Sequence, residues 1–104
     1  MPEHPLARLA ALDPEFMKKV METNALVFDD GALPRKFKLL VALAFDAAHG
    51  AEQGVRALGA QALAAGASKE EIAEVLRVAY QLSGVGSLYV AAAVVGMGTA
   101  LYYW

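Results

Sequence analysis

Cysteine is absent from the 104-residue chain. A thiolate is both the nucleophile toward peroxide and the electron store of a thiol redox site, so peroxide or disulfide reduction by a cysteine mechanism is excluded. Charge is also scarce. Only 19% of residues are charged, nine basic against eleven acidic, for a net charge of −2. No basic run offers an electrostatic footprint for nucleic acid, and no nucleic-acid partner is expected. The two histidines, His4 and His49, have no carboxylates at ligand spacing, so no metal site is expected. Gly84 and Gly86 follow no strand, unlike a phosphate loop or a dinucleotide fingerprint, and no cofactor is expected. The opening Met1-Pro2-Glu3-His4-Pro5 lacks a charged start followed by an apolar run. No signal peptide is therefore visible, and the reading is a cytoplasmic protein.

Apolar side chains are what the chain has in abundance: 58% of residues are hydrophobic and the mean hydropathy is +0.40. At 11.0 kDa it makes a single domain spanning 1–104. A chain of this size buries only about 60–65% of its surface as a monomer. The surplus apolar surface needs a subunit interface or a membrane to cover it.

The apolar spacing is helical throughout, with no alternating strand pattern, repeat or low-complexity linker, and the fold class is all-α. Leu6 to Leu12 suits a short helical turn. Asp13 as N-cap with Pro14 behind it starts a second helix carrying Phe16, Met17, Val20, Met21 and Leu26. Asp29-Asp30-Gly31 is a turn. Pro34 opens a third helix, apolar nearly all round past Lys38 and so expected to be central and buried. His49-Gly50 ends it, and Ala51 to Ala65 follows as an alanine-rich helix with Val55, Leu58 and Leu63 facing inward, stopped by Gly66. Ser68 and Glu71 form a capping box ahead of the stripe Ile72, Val75, Leu76 and Ala79.

From Val78 to Trp104 the chain carries no charge. By length, Gly84 to Trp104 suffices to span a bilayer, with Tyr102, Tyr103 and Trp104 as an interfacial anchor. The favoured alternative is a helix buried within an oligomer, because amphipathic helices precede it and no basic flank follows it. Gly84 and Gly86 are read as a sharp bend or a close helix approach.

One linked series of motifs lies between Leu33 and Ala79. It comprises the Leu-Pro-Arg-Lys helix start, a small apolar helix running into His49-Gly50, a helix ending at Ala64-Ala65-Gly66-Ala67, and the Ser68-Lys69-Glu70-Glu71-Ile72 opening. This series resembles the carboxymuconolactone decarboxylase and AhpD-like alkylhydroperoxidase family. The resemblance implies an AhpD-like helical domain of about five to six helices that assembles into a soluble homo-oligomer, often a hexamer built as a trimer of dimers. In the peroxidase branch the resemblance implies a Cys-x-x-Cys, a His and a Glu. Those positions fall here on Ala51, Gly54, Leu58 and Leu39, none with usable chemistry. After about Ala92 the family would carry charge, and Val94-Val95-Gly96-Met97-Gly98 carries none.

Few polar groups remain near that position. Asp46 is the only charged residue between Leu39 and Ala48, and an unpaired buried carboxylate is costly, so a partner is expected. His49 lies three residues on, and Glu52 and Arg56 are spaced to pair within the next helix. Asp46, His49 and Glu52 are thus the candidate acid/base set, and Arg56, with Tyr80, the candidate group holding an anionic substrate. The plainer reading makes Asp46–His49 a helix-end contact, Glu52–Arg56 a salt bridge and Tyr80 a core residue.

Three functions follow. The first is an oligomeric scaffold or small-molecule binder without thiol redox chemistry. The second is a decarboxylase or lyase for a small anionic lactone or acid, as the family name implies. The third is a membrane-associated protein anchored by its C-terminal helix. The first is favoured.

Overall fold

A computed structural model describes residues 6–94, which form six α-helices and, among the described residues, no strand. They are α1 (Ala7–Leu12), α2 (Pro14–Phe28), α3 (Arg35–His49), α4 (Glu52–Ala64), α5 (Lys69–Ser83) and α6 (Gly86–Val94). Local chemistry sets the boundaries. The Asp13 carboxylate accepts from the Phe16 N–H at 3.2 Å, with Pro14 in the first turn of α2. Pro34 stands in extended backbone immediately before α3. At the other end of α3, Gly50 adopts φ +79°, the left-handed stop that an L side chain resists. The Ser68 hydroxyl accepts from the Glu71 N–H at 3.0 Å while the Glu71 carboxylate accepts from the Ser68 N–H at 2.9 Å, completing the capping box.

Helix α3 is the hub. It packs against α4, α5 and α6, and its Leu39, Leu40, Leu43 and Ala47 are buried with Val55 and Ala62 of α4 and Ile72 and Leu76 of α5. Burying each large aliphatic side chain contributes about 1.5–3 kcal/mol, so this cluster is where the fold's stability concentrates. Ala91 of α6 belongs to the same cluster.

One expectation about packing needs correction. Helix α3 is not covered all round: Phe37 is 44%, Val41 50% and Phe45 60% exposed. On α2 only Met17 is buried, whereas Phe16, Met21 and Leu26 are exposed and Val20 is half-exposed. Helical periodicity marks an apolar face, but a cover for that face has to come from somewhere, and a single chain of this size lacks the helices to supply it.

The polar clasp at the start of α3 was not anticipated. Arg35 donates to the Phe28 carbonyl at 3.2 Å, Lys38 to the Asp29 carbonyl at 2.6 Å, and the Arg35 N–H to the Asp30 carboxylate at 2.6 Å. These bonds tie the α2–α3 turn to the first turns of α3.

Gly84, at φ +95°, breaks the uncharged C-terminal stretch between α5 and α6. This is the bend expected there. Among the described residues no helix is long and apolar enough to cross a membrane. Val95 to Trp104, including the aromatic trio at the end, lies outside the described residues, as does His4.

Candidate functional site

The junction of α3 and α4 brings the candidate residues into one neighbourhood without joining them. Asp46 lies one turn before the end of α3, His49 is its last residue, and Glu52 opens α4. The Ala51 N–H donates to the Asp46 backbone carbonyl at 2.9 Å, which fixes the turn. Among the described residues, however, neither hydrogen bond nor ion pair links Asp46 to His49 or Glu52 to Arg56, whereas Lys36 and Glu71 do form an ion pair, at 3.2 Å. The expected Asp46–His49 and Glu52–Arg56 pairs are therefore not formed. His49 is exposed and leans on Phe45, with ring centroids 6.2 Å apart.

The Asp46 carboxylate goes elsewhere. It is half-buried and lies over the backbone of Gly54, so that a Cβ added there would stand 2.8 Å from the Asp46 Cγ and closer still to one carboxylate oxygen. Gly54 is one of the two positions where the resemblance places a thiol. A carboxylate from the preceding helix occupies the space a side chain at 54 would need.

The other three positions carry no polar group either. Ala51 precedes α4 and is exposed, Leu58 packs against the core, and Leu39 is fully buried. Where a redox site would hold a Glu and a His, two leucines belong to the same apolar cluster. Solvating an ion at either position would require emptying part of that cluster.

Tyr80 and Arg56 are both exposed, and among the described residues no hydrogen bond or ion pair draws either toward Asp46. Neither they nor Asp46, His49 and Glu52 line a groove of about 680 Å³ between α3 and α5. Its walls are Phe37, Val41 and Phe45 from α3 and Val75, Val78 and Leu82 from α5, with Glu71 and Glu74 on the rim. No direct sign of this groove is legible in the sequence, because each wall reads by itself as the core face of a helix.

The acidity of Glu71 is displaced. Its hydrogen bond with the Ser68 backbone, and next the Lys36 ammonium beside it, hold its pKa below the ordinary 4.5. The effect is a helix cap reinforced by an ion pair, and it joins the first turn of α5 to the first turn of α3. No group of three or more His, Asp or Glu able to hold a metal occurs among the described residues.

An all-helical domain with an apolar hub, a left-handed stop between α3 and α4 and a capping box at α5 is the class of protein the fold defines. Residues 14–96 match the family model of the carboxymuconolactone decarboxylase family, and the chain belongs to that family. It does so without the cysteines of the family's AhpD-like branch. Comparison with curated proteins and with solved structures finds no match.

Proposed function

We propose that the chain is a homo-oligomeric helical scaffold of the carboxymuconolactone decarboxylase family, without thiol redox chemistry. The observation that carries this reading is the α3 surface. The hub helix of the fold presents Phe37, Val41 and Phe45 to solvent beside an apolar groove, while the former redox positions are filled by core leucines and the Asp46 carboxylate. Apolar surface of this extent on a small chain calls for a protein cover. The reading places the protein in the cytoplasm as a trimer or hexamer, with self as its partner.

A lyase acting on a small anionic acid is the second reading. It rests on Asp46, His49 and Glu52 sharing the α3–α4 junction with Arg56 on the following turn. Its weakness is physical: general acid/base work needs groups within hydrogen-bond reach of one another or of a common substrate, and these four form no network. An NMR titration with a panel of small dicarboxylates separates the readings. The scaffold predicts no saturable shift at the α3–α4 junction. A saturable shift that salt weakens and Arg56→Ala abolishes would establish the lyase-type pocket instead.

A further inference from the structure

We propose that the α3–α5 groove is a two-fold interface with a second copy of this chain, the symmetry axis running along the groove, so that α3 of each copy lies against α5 of the other. This rests on the homo-oligomer reading and names the surface and its geometry.

Helices α3 and α5 run side by side in the same direction. Lys36, near the start of α3, pairs with Glu71, near the start of α5, and the groove walls extend from there to Ala48 and Ser83 near the two C-terminal ends. Each wall is an unpartnered apolar ridge. On α3, Phe37, Val41 and Phe45 are spaced by four and about half exposed; on α5, Val78 is 57% and Leu82 82% exposed. The groove is open along its length, which suits a helix ridge.

Charge selects both the occupant and the orientation. The first turns of α3 carry Arg35, Lys36 and Lys38, whereas α5 opens with Glu70, Glu71 and Glu74 against the single Lys69. The first turns of α3 are thus basic and those of α5 acidic, at the same end of the groove, while the groove lining itself carries only the Glu71 and Glu74 carboxylates. An axis along the groove lays the basic end of α3 on the acidic end of α5 in the partner, twice over. An axis across the groove would lay α3 on a reversed α3, setting each basic end against the end that carries Asp46, whose carboxylate is already turned toward Gly54 of its own chain. Only the first arrangement is complementary in charge and in apolar pattern at once. Glu74 makes no ion pair among the described residues and is exposed on the rim, and this arrangement sets it opposite the first turns of the other copy's α3, which carry Lys36 and Lys38. The two carboxylates on the rim, Glu71 and Glu74, weigh against a lipid surface as occupant.

The absence of native cysteine makes disulfide trapping clean. Val41→Cys and Val78→Cys chains, prepared separately, are mixed and oxidised. The axis along the groove predicts a cross-link between the two different variants in excess over either self-pair. A dominant Val41→Cys self-pair overturns it in favour of the crossed axis. Charge exchange supplies the second measurement: Glu74→Lys weakens self-association by about tenfold or more, and adding Lys38→Glu restores most of it. If the wild type is oligomeric but indifferent to both sets of variants, this interface is wrong and the scaffold reading stands. If the wild type is monomeric, both fail together.

Discussion

The Asp46 carboxylate lies directly over the backbone of Gly54, so the two residues can be substituted independently only if one of them moves. Replacing Gly by Ala inside a helix ordinarily stabilises by roughly 0.5–1 kcal/mol. At Gly54 that gain is offset, because the new methyl displaces the carboxylate from its resting position. Gly54→Ala is therefore expected to be neutral or destabilising in the wild type and stabilising in an Asp46→Ala background. Urea unfolding of the four proteins measures the coupling, expected at about 0.5–1 kcal/mol. Additive effects would show that Asp46 does not occupy that space.

The capping box at α5 carries a pH signature. Glu71 has its pKa held down by the Ser68 backbone N–H and then by Lys36. A carboxylate whose folded pKa is depressed contributes stability that is complete above its unfolded pKa and is lost as pH falls through the folded value. The Glu71 contribution is thus constant above about pH 5 and decays below 4.5, its ordinary value. Glu71→Gln should lower the unfolding midpoint at pH 7 and leave a shallower acid limb. A midpoint unchanged at pH 7 would contradict the cap.

Ser68→Ala removes the other half of that box. Loss of an N-cap hydroxyl costs about 0.5–2 kcal/mol, and Ser68→Asp, which keeps an acceptor, should recover most of it. Thermal unfolding by circular dichroism reads both.

Core truncation should separate the two faces of α3. Leu43 is 1% exposed, and Leu43→Ala is expected to cost about 2–5 kcal/mol whatever the protein concentration. Phe45 is 60% exposed in the single chain, so Phe45→Ala should cost little intrinsic fold stability but lower the concentration dependence of unfolding. Equal, concentration-independent losses would mean that Phe45 serves only its own chain.

How much was legible beforehand divides along physical lines. Asp13 with Pro14, Ser68 with Glu71, and Gly50 and Gly66 as stops were readable because capping is decided within a few residues. The burial of Val55, Ile72 and Leu76 followed from periodicity. Periodicity could not say that Phe45 faces outward while Leu43 faces inward on a helix apolar to both sides; that depends on which neighbours the chain can supply. Nor does spacing reveal where a side chain points once it leaves its own helix. Asp46 and His49 share a turn, yet the carboxylate crosses to Gly54 on α4 and the imidazole stacks toward Phe45. Asp46, His49 and Glu52 do meet at one helix junction, but the pairing expected from spacing is not formed because the competing contact is tertiary.

The central claim is that the exposed ridge on α3 is covered by further copies of the chain. Multi-angle light scattering on detergent-free protein across a range of micromolar concentrations tests it most directly. The account predicts a single species whose mass is a whole multiple of the 11.0 kDa chain, six copies where the two-fold holds, falling to a lower multiple when Phe45 or Val41 is replaced by glutamate. A monodisperse 11.0 kDa species at every concentration would contradict it.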